Sequence, residues 1–148
     1  MFKKILTPFL ILITTGLLWS QQSASIEWVS MQDALDMKKK SKKIIFVDVY
    51  TSWCGWCKRM DQTTFQDKNV VEMLNKHFIP VKFNAEGSDV IKLNGKEYKN
   101  PIPGRTRSTH EFTYELLGQR FGYPSFSFLD EDNNVIGMLQ GYQQAGQL

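Results

Sequence analysis

The run Lys43-Ile-Ile-Phe-Val-Asp-Val-Tyr50 meets the motif Cys54-Gly-Trp-Cys57 with only Thr51, Ser52 and Trp53 between them. A short apolar run rich in β-branched and aromatic residues is the pattern of a strand covered on both faces, as in a largely parallel sheet. A Cys-X-X-Cys pair suits the first turn of a helix. A strand that feeds straight into such a pair at a helix start is the layout of a βαβ redox fold. This junction therefore restricts the chain to an α/β architecture with helices on both faces of a central sheet.

Cys54 and Cys57 are the only cysteines of the 148 residues, and two thiols this close have three possible uses. As a structural staple they close a loop of a few residues, which removes little entropy from the unfolded chain. As a zinc site they lack partners: a structural zinc needs four ligands, there is no third cysteine, and His77 and His110 lie far apart in sequence. As a reactive pair they gain from position. Helix-start N–H groups and the positive end of the helix dipole favour a thiolate, and Lys58 and Arg59 add positive charge. The reactive reading is favoured and no metal is assigned. A non-enzymatic carrier of a soft ion such as Cu(I), held by Cys54 and Cys57, is an alternative.

The first residues carry a different signal. Lys3 and Lys4 precede the apolar run Ile5 to Trp19, and small and polar residues follow, which is the pattern of a secretory signal peptide. The run falls short of the ~20 apolar residues of a spanning helix and contains Pro8, Thr14, Thr15 and Gly16. Residues 1–20 are therefore read as a signal cleaved near Ser20, with an uncleaved anchor as the alternative, and 21–148 as one exported domain. Losing Lys3 and Lys4 lowers the formal charge from +3 to +1. A nearly neutral domain has no electrostatic case for nucleic acid. The basic run Lys38 to Lys43 sits where cations favour a helix C-terminus. At 42% hydrophobic and 13% aromatic, the chain buries a core without covalent help.

Further elements follow from local signals. Ser30 with Asp33 opens a helix to about Lys40. The helix after Cys54 runs past Met60, and Asp67 caps another with Val70, Val71 and Leu74 on its apolar face. Phe78 to Asn84 is a second strand. Val90 to Tyr98 is a small hairpin turning at Asn94-Gly95. Ser108 with Glu111 is a capping box for a helix through Phe112, Leu116 and Leu117, with His110, in a structural role, inside its first turn. Ser125 to Leu129 and Val135 to about Gln140 form a closing antiparallel pair.

With these residues in order, the chain resembles the thioredoxin superfamily over about residues 28–86 and 108–148. "FVDVYTSWCGWCK" is similar to that family's active-site strand and helix start, and among its members exported bacterial proteins with Cys-Gly-Trp-Cys are the nearest in pattern. The resemblance implies a thioredoxin-like fold: a central mixed sheet flanked by helices, with an insertion at 87–107 after the second core strand. It implies that Asp48 is the buried carboxylate beneath the second cysteine, that Lys82 pairs with it, and that Pro124 is a cis-proline facing the disulfide. Two features depart from the family: Gly55-Trp56 replaces Gly-Pro, and the sequence stops at Leu148 where a last helix would begin, which would leave apolar sheet surface uncovered.

The expected chemistry is thiol–disulfide exchange without a cofactor, the redox group being the Cys54–Cys57 disulfide itself. Cys54 attacks and Cys57 resolves. An aspartate inside an apolar strand is either a base of raised pKa or half of an ion pair, and the resemblance favours the base. Trp53 is expected mainly to pack and Trp56 to be partly exposed; with Gly55 and the Tyr123 backbone they make up the expected substrate contacts. The partners implied are protein thiols and disulfides, and a membrane electron donor if the chain is a reductase. An oxidase or isomerase is the alternative within the same chemistry, and an adapter with a vestigial site is a weaker one.

Overall fold

The computed structural model describes residues 25–148, so the proposed signal peptide lies outside the described residues. In chain order the elements are α1 (Met31–Lys38), β1 (Ile44–Tyr50), α2 (Gly55–Gln62), a 3-10 turn (Thr64–Gln66), α3 (Lys68–His77), β2 (Phe78–Asn84), β3 (Ile91–Leu93), β4 (Lys96–Tyr98), α4 (Glu111–Leu117), β5 (Ser125–Leu129) and β6 (Val135–Gln140). The main sheet has the order β2-β1-β5-β6. β1 runs parallel to β2 and antiparallel to β5, and β6 is antiparallel to β5. An inner strand with a neighbour on each edge and helices on each face needs apolar residues, which is why β1 reads as a hydrophobic run broken only by Asp48.

Strand alternation divides the core in two. Ile45, Val47 and Val49 of β1, with Ile79, Val81 and Phe83 of β2, face α1 and α4. The opposite parity places Phe46 and Phe126 under α2 and α3, with Met60, Phe65, Val70, Val71 and Leu74. Phe46 is the hub of that second layer. It stacks on Phe126 at 5.6 Å and touches Phe128 at 5.5 Å, with Trp28 and Phe78 each at 6.3 Å. Asp48 and Lys82 share its parity and sit opposite each other in the β1–β2 register. Both polar groups are thereby delivered to the face beneath α2.

The helix starts follow capping chemistry, with one exception. Ser30 accepts from Asp33 N, and Asp67 accepts from Asn69 N and Val70 N. At α4 the expected capping box of Ser108 and Glu111 is not formed. His110 is the cap rather than a first-turn residue: its Nδ1 accepts from Phe112 N at 3.1 Å and its Nε2 bonds the Asp89 carbonyl at 2.7 Å. With Nδ1 accepting, Nε2 carries the proton and donates. His110 is fully buried, and a ring satisfied at both nitrogens there serves as a polar rivet between α4 and the insertion. Ser108 instead accepts from Asn100 Nδ2, and Glu111 accepts from Lys99 N.

The insertion is part of the core. β3 and β4 pair as a separate two-stranded sheet, turning at Asn94 and Gly95 with φ of 52° and 77°, the left-handed values a type I′ turn requires. Ile91 and Tyr98 of this hairpin are buried in the α1/α4 layer. Tyr98 meets Phe112 edge-on at 5.0 Å, and Lys92 N bonds Gln32 of α1 at 2.8 Å. At the other edge, Tyr142, Ala145 and Leu148 lie against the aromatic layer, while Ile136 and Met138 of β6 are exposed.

Because Ile91 is 2% exposed, Ile91→Ala should destabilise the whole domain by about 2–4 kcal/mol in urea unfolding, the usual range for a truncated core aliphatic. A hairpin that merely decorated the surface would show almost no change.

Candidate active site

Cys54 is the N-cap of α2, with extended backbone (φ −73°, ψ 102°) and Sγ accepting from Cys57 N at 3.1 Å. It is joined to Cys57 in a disulfide with S–S 2.09 Å and Cα–Cα 5.3 Å. The turn from β1 is closed by Cys54 N donating to the Thr51 carbonyl, and Lys58 N donates to the Cys54 carbonyl to start the helix. The same donor and helix end that cap α2 favour negative charge on the Cys54 sulfur when the bond is reduced. The two sulfurs lie just below the surface, at 4% and 2% exposure for their residues, while Trp53 and Trp56 stand out at 46% and 62%.

Beneath the aromatic face, Lys82 Nζ donates to Asp48 Oδ2 at 2.6 Å and also bonds Asp61 Oδ1 of α2. The rings of Phe65, Trp28 and Tyr50 surround the ammonium at 5.0–5.1 Å. Burial pushes the Asp48 carboxyl up to about 6; Lys82 opposes that rise and Asp61 adds to it. Desolvation decides the sign because the neutralising charge is shared. Asp48 Oδ1 is buried and meets no donor among the described residues, which further favours a proton there. For Lys82, burial works against the charge, but Asp48 and Asp61 outweigh it and hold the ammonium above its ordinary range.

A second carboxylate organises the surface side. Glu86, just past β2, takes Trp53 Nε1 at 2.9 Å and Arg107 N on Oε1, and Ser52 Oγ at 3.1 Å and Ser52 N at 3.4 Å on Oε2. Burial disfavours its charge, yet the donors from Arg107, Trp53 and Ser52 prevail and keep its carboxyl below the usual range. Tyr123 meets Trp53 edge-on at 5.8 Å; burial, and then the Glu86 charge, push its hydroxyl up to about 12. The Tyr123–Pro124 peptide bond is cis, and the Pro124 carbonyl accepts from Gly141 N at 2.8 Å.

Cys54, Cys57, Trp53, Gly55 and Trp56 are thus gathered at the start of α2, with Tyr123 against Trp53 and the Asp48–Lys82 pair on the face below. A Cβ built on Gly55 meets nothing within 4 Å, so the space above it is open to an approaching chain. Trp53 differs from expectation: it is exposed, not packed away, because Glu86 holds its indole N–H at the surface. Trp56 is exposed as expected and leans on Tyr142 at 5.4 Å. Sequence reasoning missed Asp61 and Glu86. Asp61 lies one helical turn beyond Cys57, a spacing that could have identified it; nothing local marks Glu86. Among the described residues no group of three or more His, Cys, Asp or Glu is placed to hold a metal, and no helix is long and apolar enough to cross a membrane.

A mixed sheet with a cysteine pair at a helix start, above a buried carboxylate, defines the class: a thioredoxin-like protein with a thiol–disulfide oxidoreductase site. The family model described as Thioredox_DsbH, protein of unknown function, DUF255, matches residues 10–98, more than half of the chain, and the chain belongs to that family. It is similar to a disulphide-isomerase candidate of Bacteroides thetaiotaomicron, with 26% identity, a TM-score of 0.59 and coverage of 86% of this chain and 89% of the other. A thioredoxin from Thermus thermophilus shares the fold at TM-score 0.58 and 17% identity, over 82% of this chain and 80% of that one. Rat spermatogenesis-associated protein 20 is 36% identical over 41% of this chain, which spans 8% of that relative's length. The thiol:disulfide interchange protein DsbD of Vibrio vulnificus is 28% identical over 78% of this chain and 16% of its own length.

A carboxyl whose folded pKa lies above its unfolded value stabilises the fold at low pH and loses that contribution as pH rises through the folded value. Asp48→Asn removes this dependence. The variant's stability relative to wild type should therefore increase between pH 4 and pH 7 by about 2 kcal/mol, from a shift of 3.8 to about 6. Urea unfolding at the two pH values measures it. An unchanged difference would mean that folding does not raise the Asp48 pKa.

Proposed function

We propose that this chain is an exported thiol–disulfide oxidoreductase that reduces protein disulfides. The observation that carries this reading is the Cys54–Cys57 disulfide at the N-terminus of α2, the helix whose Asp61 shares the Lys82 ammonium with the buried Asp48. Similarity to the DsbD interchange protein and to the Bacteroides disulphide-isomerase candidate supports thiol–disulfide chemistry. The apolar run after Lys3 and Lys4 supports export.

In the reductive half-cycle the Cys54 thiolate attacks one sulfur of the substrate disulfide. The Cys54–substrate bond forms, the substrate S–S bond breaks, and the departing sulfur takes up a proton. Asp48 accepts the Cys57 thiol proton, which a carboxyl of pKa about 6 can do near neutrality. The resulting thiolate attacks Cys54 Sγ, expelling the second substrate sulfur and leaving the enzyme as the disulfide. Two electrons have passed to the substrate, and a membrane-bound dithiol donor restores them. Lys82 and Asp61 set the charge around Asp48. Trp53, Gly55 and Trp56 contact the substrate chain, with Tyr123 and Pro124 offering backbone for strand-like pairing.

Wild type should catalyse insulin reduction by dithiothreitol, and Cys54→Ser should lose at least about 100-fold, because the attacking thiolate is gone. Equal, negligible rates for both proteins would sink the enzymatic reading. Cys57→Ser should accumulate mixed disulfides that identify substrates by mass spectrometry. The isomerase reading draws specific support from the Bacteroides neighbour, and an oxidase is the other alternative within the same chemistry. The reduction potential separates them: near about −270 mV the chain is a reductant, and near about −120 mV an oxidant.

A further inference from the structure

The segment from Asn100 to Ser108 is tied to the active-site loop through one residue. Asn100 is buried, and its Nδ2 donates to the Glu86 carbonyl at 3.0 Å and to Ser108 Oγ at 2.8 Å. At the other end Arg107 N donates to the Glu86 carboxylate, which also holds Trp53 and Ser52. Arg107 has φ of 64°, a left-handed backbone that is unfavourable for a long side chain. Its guanidinium lies over the Trp53 ring, 5.5 Å from the centroid. That arrangement places a cation on the indole adjoining Cys54. Among the described residues this guanidinium has no carboxylate partner, and both Glu86 oxygens are taken by other donors. Arg107 is exposed, as is Arg105 in the same loop.

A guanidinium held over the ring of Trp53, the residue before Cys54, and lacking a carboxylate partner among the described residues, is matched by a carboxylate. We propose that Arg107 is a specificity-determining residue that selects polypeptide disulfides flanked by an acidic side chain, and that Glu86 is the positioning residue that holds Arg107 and Trp53 beside Cys54. This rests on the thiol–disulfide reading of Cys54 and Cys57. Glu86 acts through its neighbours: its oxygens are filled from within the chain, so it orients the loop and leaves the contact with substrate to Arg107.

The test uses two disulfide-bonded peptides that differ only in Glu or Gln two residues from one cysteine, reduced by the full chain under dithiothreitol recycling. The Glu peptide should have kcat/KM about five-fold higher, through KM and not kcat, as for a partly exposed ion pair. The preference should shrink at 0.5 M salt. Arg107→Gln should bring the ratio of the two peptides to about one. Arg107→Gly, which suits the left-handed backbone, should do the same, separating lost charge from relieved strain. Glu86→Gln replaces an acceptor by a donor; it should also lose the preference and move the Trp53 indole N–H resonance, assigned by its absence in Trp53→Phe. Equal turnover of both peptides by wild type overturns the proposal, as does a preference that survives Arg107→Gln. If the resonance moves in Glu86→Gln while the preference stays, the positioning role is overturned. If wild type reduces neither peptide, the thiol–disulfide reading falls with it.

Discussion

The parallel pairing of β1 with β2 is the constraint on which the rest of the site depends. β1 is covered on both faces, so any polar side chain on it is taken out of water, and Asp48 is 1% exposed. A lone buried carboxylate is untenable. The register answers this by setting Lys82 directly opposite, on the same face. A slip of β2 by one residue would turn Lys82 into the α1/α4 layer and bring Val81 and Phe83 out of that layer onto the aromatic face. Hydrophobic burial therefore fixes the register, and the register creates the ion pair.

That pair is deliberately incomplete in its chemistry. A 2.6 Å contact with a full ammonium would ordinarily pull a carboxyl below its usual range. Here Asp61 shares the same ammonium, three aromatic rings crowd around it, and the buried Oδ1 meets no donor among the described residues. Desolvation wins, and the carboxyl rises to about 6. An Asp48–Lys82 pair alone would read as structural. The third charge, Asp61 on α2 one turn beyond Cys57, dilutes the ammonium's hold on Asp48.

The insertion changes meaning once its contacts are known. Ile91 and Tyr98 bury it in the core, His110 pins it to α4, and Glu86 joins it to the loop carrying Trp53. A segment with no ligand motif of its own becomes one wall of the site through residues outside it.

Much of this was legible in the sequence, because local chemistry sets it. The apolar run of β1 demanded two-sided burial, Ser30 and Asp67 announced their helices, and Asn94-Gly95 specified a left-handed turn. Phe78 to Asn84 and Ser125 to Leu129 are strands at the residues expected. The cysteine spacing, its place after a strand and the lack of further ligands together favoured a reactive pair at a helix start. What local rules could not supply is whatever depends on a partner far along the chain. His110 displaced Ser108 as a cap because the Asp89 carbonyl, brought in by the insertion, satisfies its other nitrogen. Trp53 is exposed because Glu86, 33 residues away, accepts its N–H. Asp61 matters because α2 lies across the sheet above Lys82. Short-range sterics and periodicity are written in the chain itself, whereas the sharing of one charge between distant carboxylates exists only after folding has brought them together.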